Sequence, residues 1–123
     1  MNRDDDRRVV VTGMGVITPI GETPEDFIVS LVKGESAIRK WRVFDSSRIY
    51  SKIGGDLVGW DIKSYLDRYG KNYPPELSQR AVRLLRDVPR PAHLIAASGL
   101  HAYLSAGLPD GIRPERFGHI SLC

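Results

Sequence analysis

The sequence predicts a layered α/β protein, a mixed sheet with helices, of which this chain holds only a part. Three observations carry that prediction. Val9, Val10 and Val11 are consecutive β-branched residues, the composition of a strand covered on both faces. The elements that follow run helix, short strands, helices and a last strand, an order suited to helices packed on a sheet. The helices carry more apolar surface than the few predicted strands can cover, so the architecture reads as unfinished.

Each element has a local reason. Residues 1–6 are polar and read as a flexible lead-in. The first strand covers about Arg8 to Thr12. Gly13 and Gly15 then allow backbone angles that a Cβ would resist, and Pro19 and Gly21 stop regular structure before Thr23. Thr23 fits a helix N-cap, Pro24 the first helical position, and Glu25 and Asp26 the positive end of the helix dipole. Phe27, Ile28, Leu31 and Val32 make an apolar stripe, Lys33 suits the last turn and Gly34 the left-handed stop. Residues 36–59 show no helical period. Within them Ile53 to Val58 reads as a short strand or hairpin arm, its Gly54-Gly55 pair marking a bulge or turn.

Asp61 caps a short helix with Ile62 and Leu66 on one side. Tyr69 to Pro75 is a loop. Pro75 to Val88 is amphipathic, with Leu77, Ala81, Leu84, Leu85 and Val88 on one face and Arg80, Arg83 and Arg86 on the other. A helix from about Pro91 to Ala106 ends at Gly107. Its many small residues let a neighbouring backbone come close. Leu108 to Glu115 is a loop, and Phe117 to Cys123 opens another strand.

Composition narrows the class. With 123 residues, 41% hydrophobic and 27% charged, the chain is a globular domain with a modest core. No apolar run is long enough to span a bilayer. Arg7-Arg8 is preceded by three aspartates and followed by an interrupted apolar stretch, which argues against a twin-arginine signal. One cysteine permits no internal disulfide, so a reducing, cytoplasmic setting is expected. A net charge of +3 is too small to argue for nucleic acid. Arg80, Arg83, Arg86 and Arg90 nevertheless cluster around a single acid, Asp87. That cluster suits either an acidic partner or a solvated helix face.

Motifs for chemistry are sparse. Gly13-Met14-Gly15 after a strand invites a dinucleotide-binding reading, but Thr18 stands where the third glycine belongs and the helix starts late. No P-loop sequence exists, so no nucleotide cofactor is expected. His93 and His101 lie eight residues apart on one helix, too far to share a metal. Cys123 has no following helix to lower its pKa, and His119, four residues before it in a strand, is out of hydrogen-bond reach. A buried structural thiol is the better reading.

The order of residues in the bend says more. Val9 to Gly21 reads Val-Val-Val-Thr-Gly-Met-Gly-Val-Ile-Thr-Pro-Ile-Gly, and it closely resembles the N-terminal motif of the β-ketoacyl-acyl carrier protein synthases, the type II elongating condensing enzymes. Further stretches are similar in family order. These are Thr23 to Phe27, Lys33 to Ile38, Phe44 to Ser47, Ser51 to Gly55, Tyr65 to Arg68, Ala106 to Leu108 and Pro114 to Gly118. The sequence departs from the family before the long helix, where Arg86-Asp87-Val88-Pro89-Arg90-Pro91 replaces an Arg-Met-Asp-Arg-Phe-like segment. Residues 69–85 read as a family-specific insertion.

The resemblance implies a thiolase-like fold, with residues 1–123 as part of its N-terminal half. It implies a decarboxylative Claisen condensation in fatty acid or related polyketide synthesis. The family's catalytic Cys-His-His set lies beyond Cys123, so no residue of this chain is assigned a catalytic role and the isolated segment is expected to be inactive. Arg83, Arg86 and Arg90 are the candidate docking residues for an acidic acyl carrier protein. A homodimer, or a heterodimer with a synthase-like subunit, is the family expectation. A non-catalytic partner subunit like the chain-length factors, or a truncated carrier-binding protein, remains an alternative.

Overall fold

Each helix begins where a side chain or a proline resolves its first turn. In the computed structural model, which describes residues 9–108 and Gly118, helix α1 spans Pro24–Val32. Thr23 is its N-cap, the Oγ1 accepting the Asp26 N–H at 3.1 Å, and Pro24 follows at the first helical position. The helix ends at Lys33, and Gly34 turns the chain away with φ +72°. The N-cap, the proline and the glycine stop are as the sequence predicts, while Lys33 is the C-cap and not part of the last turn. The apolar stripe is not covered, however: Ile28, Leu31 and Val32 are exposed among the described residues.

A two-stranded antiparallel sheet follows, β1 at Ile38–Lys40 and β2 at Ile53–Gly55, with Arg39 opposite Gly54. The sequence reading found β2 and missed β1. Gly54 is required here by packing, because a Cβ would run into the ring of Trp41. Trp41 also packs at a tilt against Phe44, ring centroids 5.0 Å apart, and donates its indole N–H to the Ser51 carbonyl at 3.0 Å. Lys52 fastens the intervening loop by donating to the carbonyls of Ser46, Ser47 and Ile49.

Helix α2 spans Ile62–Tyr69, with Asp61 as its N-cap. The expected loop from Tyr69 begins instead with a 3-10 turn at Gly70–Asn72. Helix α3 is Pro75–Leu84, four residues shorter than the predicted 75–88. Pro89 disfavours a helical Val88. The His93 ring nitrogen lies 2.7 Å from the Leu85 carbonyl and takes up that free helix-end group. Helix α4 runs Arg90–Ser105, and Gly107 ends it with φ +57°.

The buried core is small: Trp60, Tyr65, Leu66, Tyr73 and Ala97, with α2 packed against both α3 and α4. Tyr65 is fully buried. Its hydroxyl lies 3.1 Å from that of Tyr73 and donates to the Ala97 carbonyl at 3.4 Å. Both groups are satisfied when Tyr73 donates to Tyr65 and Tyr65 to Ala97. Burial pushes both phenols above their ordinary range, so they stay neutral and hold this relay.

The first predicted strand needs correction. Residues 9–17 form no strand with the described residues, and Val9 and Val11 are 98% and 81% exposed. The β-branched run is there, but no ladder partner lies beside it among the described residues. The segment is instead held against α4 at its glycines. A Cβ on Gly13 would strike the Ala102 carbonyl, and one on Gly15 the Ser98 carbonyl. Met14 donates its N–H to Ser105 Oγ at 3.1 Å, and its carbonyl lies 3.1 Å from the same hydroxyl. The small residues of α4 thus admit a neighbouring backbone, as expected. The lead-in at 1–6, most of the loop at 108–115, and the strand at 117–123 with His119 and Cys123 lie outside the described residues.

This packing separates two glycines of equal chemistry. Gly15→Ala overpacks the α4 contact and is expected to cost about 1–3 kcal/mol. Gly99→Ala, on α4 with nothing within 4 Å of an added Cβ among the described residues, gains helix propensity and is expected to stabilise by about 0.5–1 kcal/mol. Urea unfolding of the two variants checks this, and equal midpoints would contradict it.

Candidate functional site

Two polar surfaces arise from these elements. The first is the α3–α4 turn, which carries all three predicted docking residues: Arg83 in the last turn of α3, Arg86 just after it, and Arg90 at the start of α4. All three are exposed. They differ in what else they do. The Arg90 guanidinium donates to the Leu57 carbonyl and so ties α4 to the segment after β2. Arg83 and Arg86 make no hydrogen bond or ion pair with the described residues. Beside the turn an apolar groove of about 270 Å³ opens between α3 and α4, lined by Leu77, Ala81, Leu84 and Leu100 with Arg80 at its edge.

The second surface escaped the sequence reading. The β1–β2 pairing brings Arg39 and Arg42 beside Asp56, and Glu22, Trp60 and Arg68 complete a groove of about 260 Å³. Asp56 is buried, its side chain 1% exposed. Arg68, on α2, grips both carboxylate oxygens of Glu22 at 2.8 and 2.7 Å. That hydrogen-bonded pair raises the Arg68 pKa further. Only the hairpin register could have signalled this cluster, because Arg42 and Asp56 stand 14 residues apart.

Neither surface holds an evident reaction centre. Among the described residues no three His, Cys, Asp or Glu side chains converge as metal ligands. His101 and Ser105 line a third cavity of about 250 Å³ with Tyr69 and Tyr73, but the Ser105 hydroxyl is engaged by Met14. His93 serves the α3–α4 turn. No helix among the described residues is long and apolar enough to cross a membrane.

Comparison with known proteins decides the family. The family model described as "Beta-ketoacyl synthase, N-terminal domain" matches residues 6–118. The chain belongs to the β-ketoacyl synthase family. A 3-oxoacyl-[acyl-carrier-protein] synthase 2 of Synechocystis is 42% identical over 62 residues, 50% of this chain and 15% of that protein. The chloroplastic 3-oxoacyl-[acyl-carrier-protein] synthase II of Arabidopsis thaliana is 31% identical over 111 residues, 90% of this chain and 18% of that protein. A granaticin polyketide putative beta-ketoacyl synthase 2 of Streptomyces violaceoruber is 36% identical over 66 residues, 54% of this chain and 16% of that protein. The chain therefore spans less than a fifth of the length of these curated relatives. No solved structure matches it significantly.

Within this β-ketoacyl synthase segment, α2 presents Arg68 to Glu22 and Tyr65 to the core, so its N-cap matters. Asp61 Oδ1 accepts the Ser64 N–H at 2.9 Å, and Oδ2 accepts the Ser64 hydroxyl at 2.7 Å. The Ser64 N–H holds the Asp61 carboxyl below its usual range, with the hydroxyl adding to the effect. The stabilisation is present above the unfolded pKa of about 3.9 and is lost as pH falls through the lowered folded value. Asp61→Ala is expected to cost about 1 kcal/mol at pH 7 and much less once acid has protonated the wild-type carboxyl. Thermal unfolding of both proteins at neutral and strongly acidic pH measures the difference. A penalty that does not shrink in acid excludes the charged cap.

Proposed function

We propose that this chain is the N-terminal, scaffolding part of a β-ketoacyl-acyl carrier protein synthase with the thiolase-like fold. The observation that carries the proposal is the family match across residues 6–118. The names of the synthase relatives supply the reaction class. In that reaction an acyl group sits as a thioester on a cysteine. Malonyl-carrier protein loses carbon dioxide, and its enolate carbon attacks the thioester carbonyl. A carbon–carbon bond forms as the cysteine thiolate leaves. Two histidines stabilise the enolate oxygen as oxyanion-type donors. The cysteine and both histidines come from chain beyond residue 123.

Residues 1–123 contribute position. Gly13 and Gly15 seat the signature segment on α4, and Thr23 starts α1 after the bend. The arginines at the α3–α4 turn attract the acidic carrier. A cytoplasmic setting and a dimer belong to the same proposal. A second reading is a non-catalytic chain-length-factor-like subunit of a polyketide assembly; the relative named as a granaticin polyketide putative beta-ketoacyl synthase 2 supports the polyketide setting. The sequence that follows residue 123 in the gene separates the two by the presence or absence of the Cys-His-His set.

The 123-residue chain, given acyl- and malonyl-carrier protein, is expected to form no β-ketoacyl product. Steady turnover that disappears in Cys123→Ala overturns the scaffolding role. In the docking surface, Arg83→Glu combined with Arg86→Glu is expected to weaken binding of an acidic carrier protein by about tenfold or more at low salt. That difference should shrink as salt screens the charges. Calorimetric titration at two salt concentrations reads both effects, and unchanged affinity at low salt removes these residues from the docking surface.

A further inference from the structure

The Asp56 groove has a property that neither the family nor the carrier surface explains. Asp56 Oδ2 accepts the Arg42 backbone N–H at 2.8 Å. Its other oxygen, Oδ1, is buried and takes no hydrogen bond among the described residues. That oxygen lies 3.9 Å from Arg39 Nε and 3.6 Å from Arg42 Nη2. These separations hold an ion pair but are too long for hydrogen bonds. A buried carboxylate therefore keeps two guanidinium groups in place without consuming their N–H donors. Both arginine side chains are about half exposed, 47% and 49%, and both line the groove.

Trp60 lines the same groove, and its indole N–H is buried and meets no acceptor among the described residues. The remaining carboxylate, Glu22, is occupied by Arg68 and does not compete for Arg39 or Arg42. The titratable lining thus comprises three guanidiniums and two carboxylates, both of the latter already neutralised. What is left over is positive charge and N–H donors.

We propose that Arg39 and Arg42 form a binding site for the phosphate group of a phosphate monoester, in the groove that Trp60 also lines. A tetrahedral oxyanion offers several acceptor oxygens, which suits two guanidinium forks together. The groove volume of about 260 Å³ exceeds the needs of the anion alone and leaves room for an organic substituent. The site uses neither Arg83 nor Arg86, and Arg90 meets only the Leu57 carbonyl in its lining, so it does not depend on the carrier-docking reading.

The test is a titration of the full, ¹⁵N-labelled chain with inorganic phosphate, phenyl phosphate and acetate, with ionic strength held constant by sodium chloride. The two tryptophans give two indole resonances. Trp41 already donates to Ser51 and serves as the internal reference. A saturable shift confined to the Trp60 indole, tightest for phenyl phosphate and absent with chloride, is the expected result. Arg39→Lys and Arg42→Lys keep the charge but lose the fork, and each is expected to weaken binding at least about tenfold. No saturable shift, the same shift with chloride, or undiminished affinity in both lysine variants overturns the site. Acetate binding as tightly as phosphate overturns the phosphate assignment. Equal affinity for the two phosphate probes overturns the ester in favour of the free anion.

Discussion

The arrangement of the described chain depends on one close approach, the backbone of residues 13–15 laid directly on helix α4. Ser98, Ala102 and Ala106 recur every four residues and so share one face of that helix. Gly13 and Gly15 meet that face with no Cβ between the two backbones. The Ser105 hydroxyl meets both backbone polar groups of Met14, a role that strand pairing would otherwise fill. A separate part of the helix serves the core, where Ala97 is fully buried and its carbonyl receives the Tyr65 hydroxyl. A larger residue on either surface would push apart the parts that α4 joins. The path of the next loop follows from this placement. Thr18 and Gly21 close a tight turn with backbone bonds of 2.8 and 3.3 Å, and Gly21 sits against the backbone of Phe27 at the start of α1.

What the sequence disclosed was mostly chemistry between near neighbours. Thr23, Asp61, Gly34 and Gly107 each act within a few residues, so their roles as caps and stops were readable and the structure agrees. The end of α3 shows the limit. The apolar period continued to Val88, but Pro89 and the reach of His93 to the Leu85 carbonyl ended the helix after Leu84. β1 was invisible for a different reason. Ile38-Arg39-Lys40 has no internal pattern to mark it, and it becomes a strand only because Gly54 leaves room for Trp41 and Ile53–Gly55 lies alongside. The Asp56 groove was illegible on the same grounds, because it exists only once that register is formed.

The arginines divide by what they hold. Arg68 and Arg90 act inside the fold, joining α2 to Glu22 and α4 to Leu57. Arg39 and Arg42 offset a buried carboxylate while keeping their donors. Arg83 and Arg86 remain as exposed charges at the α3–α4 turn. The net charge of +3 is thus a poor guide to function, since most of the arginines with described contacts are spent on structure. Position, not number, distinguishes a docking residue here. The three arginines predicted to dock a carrier come from one turn, yet among the described residues only Arg90 of the three has a structural hydrogen bond.

The family signature itself contains no group suited to condensation chemistry, and the structure gives a physical reason why it still has a recognisable form. Thr-Gly-x-Gly-x-x-Thr-Pro-x-Gly is a set of packing demands: two glycines for contact with a helix, Thr18 closing a turn with Gly21, and Gly21 where a Cβ would strike Phe27. Each demand is local to a backbone crossing, so each tolerates few residue types. The valines before it are specified differently. Val9 to Val11 face solvent here, and no described contact accounts for three β-branched residues in a row. The same holds for Ile28, Leu31 and Val32 on α1. In the layered fold proposed for the whole synthase, further strands and helices would cover both surfaces. On that proposal apolar burial would join this scaffold to the rest of the fold, while the glycine contacts would set where the joined surfaces stand.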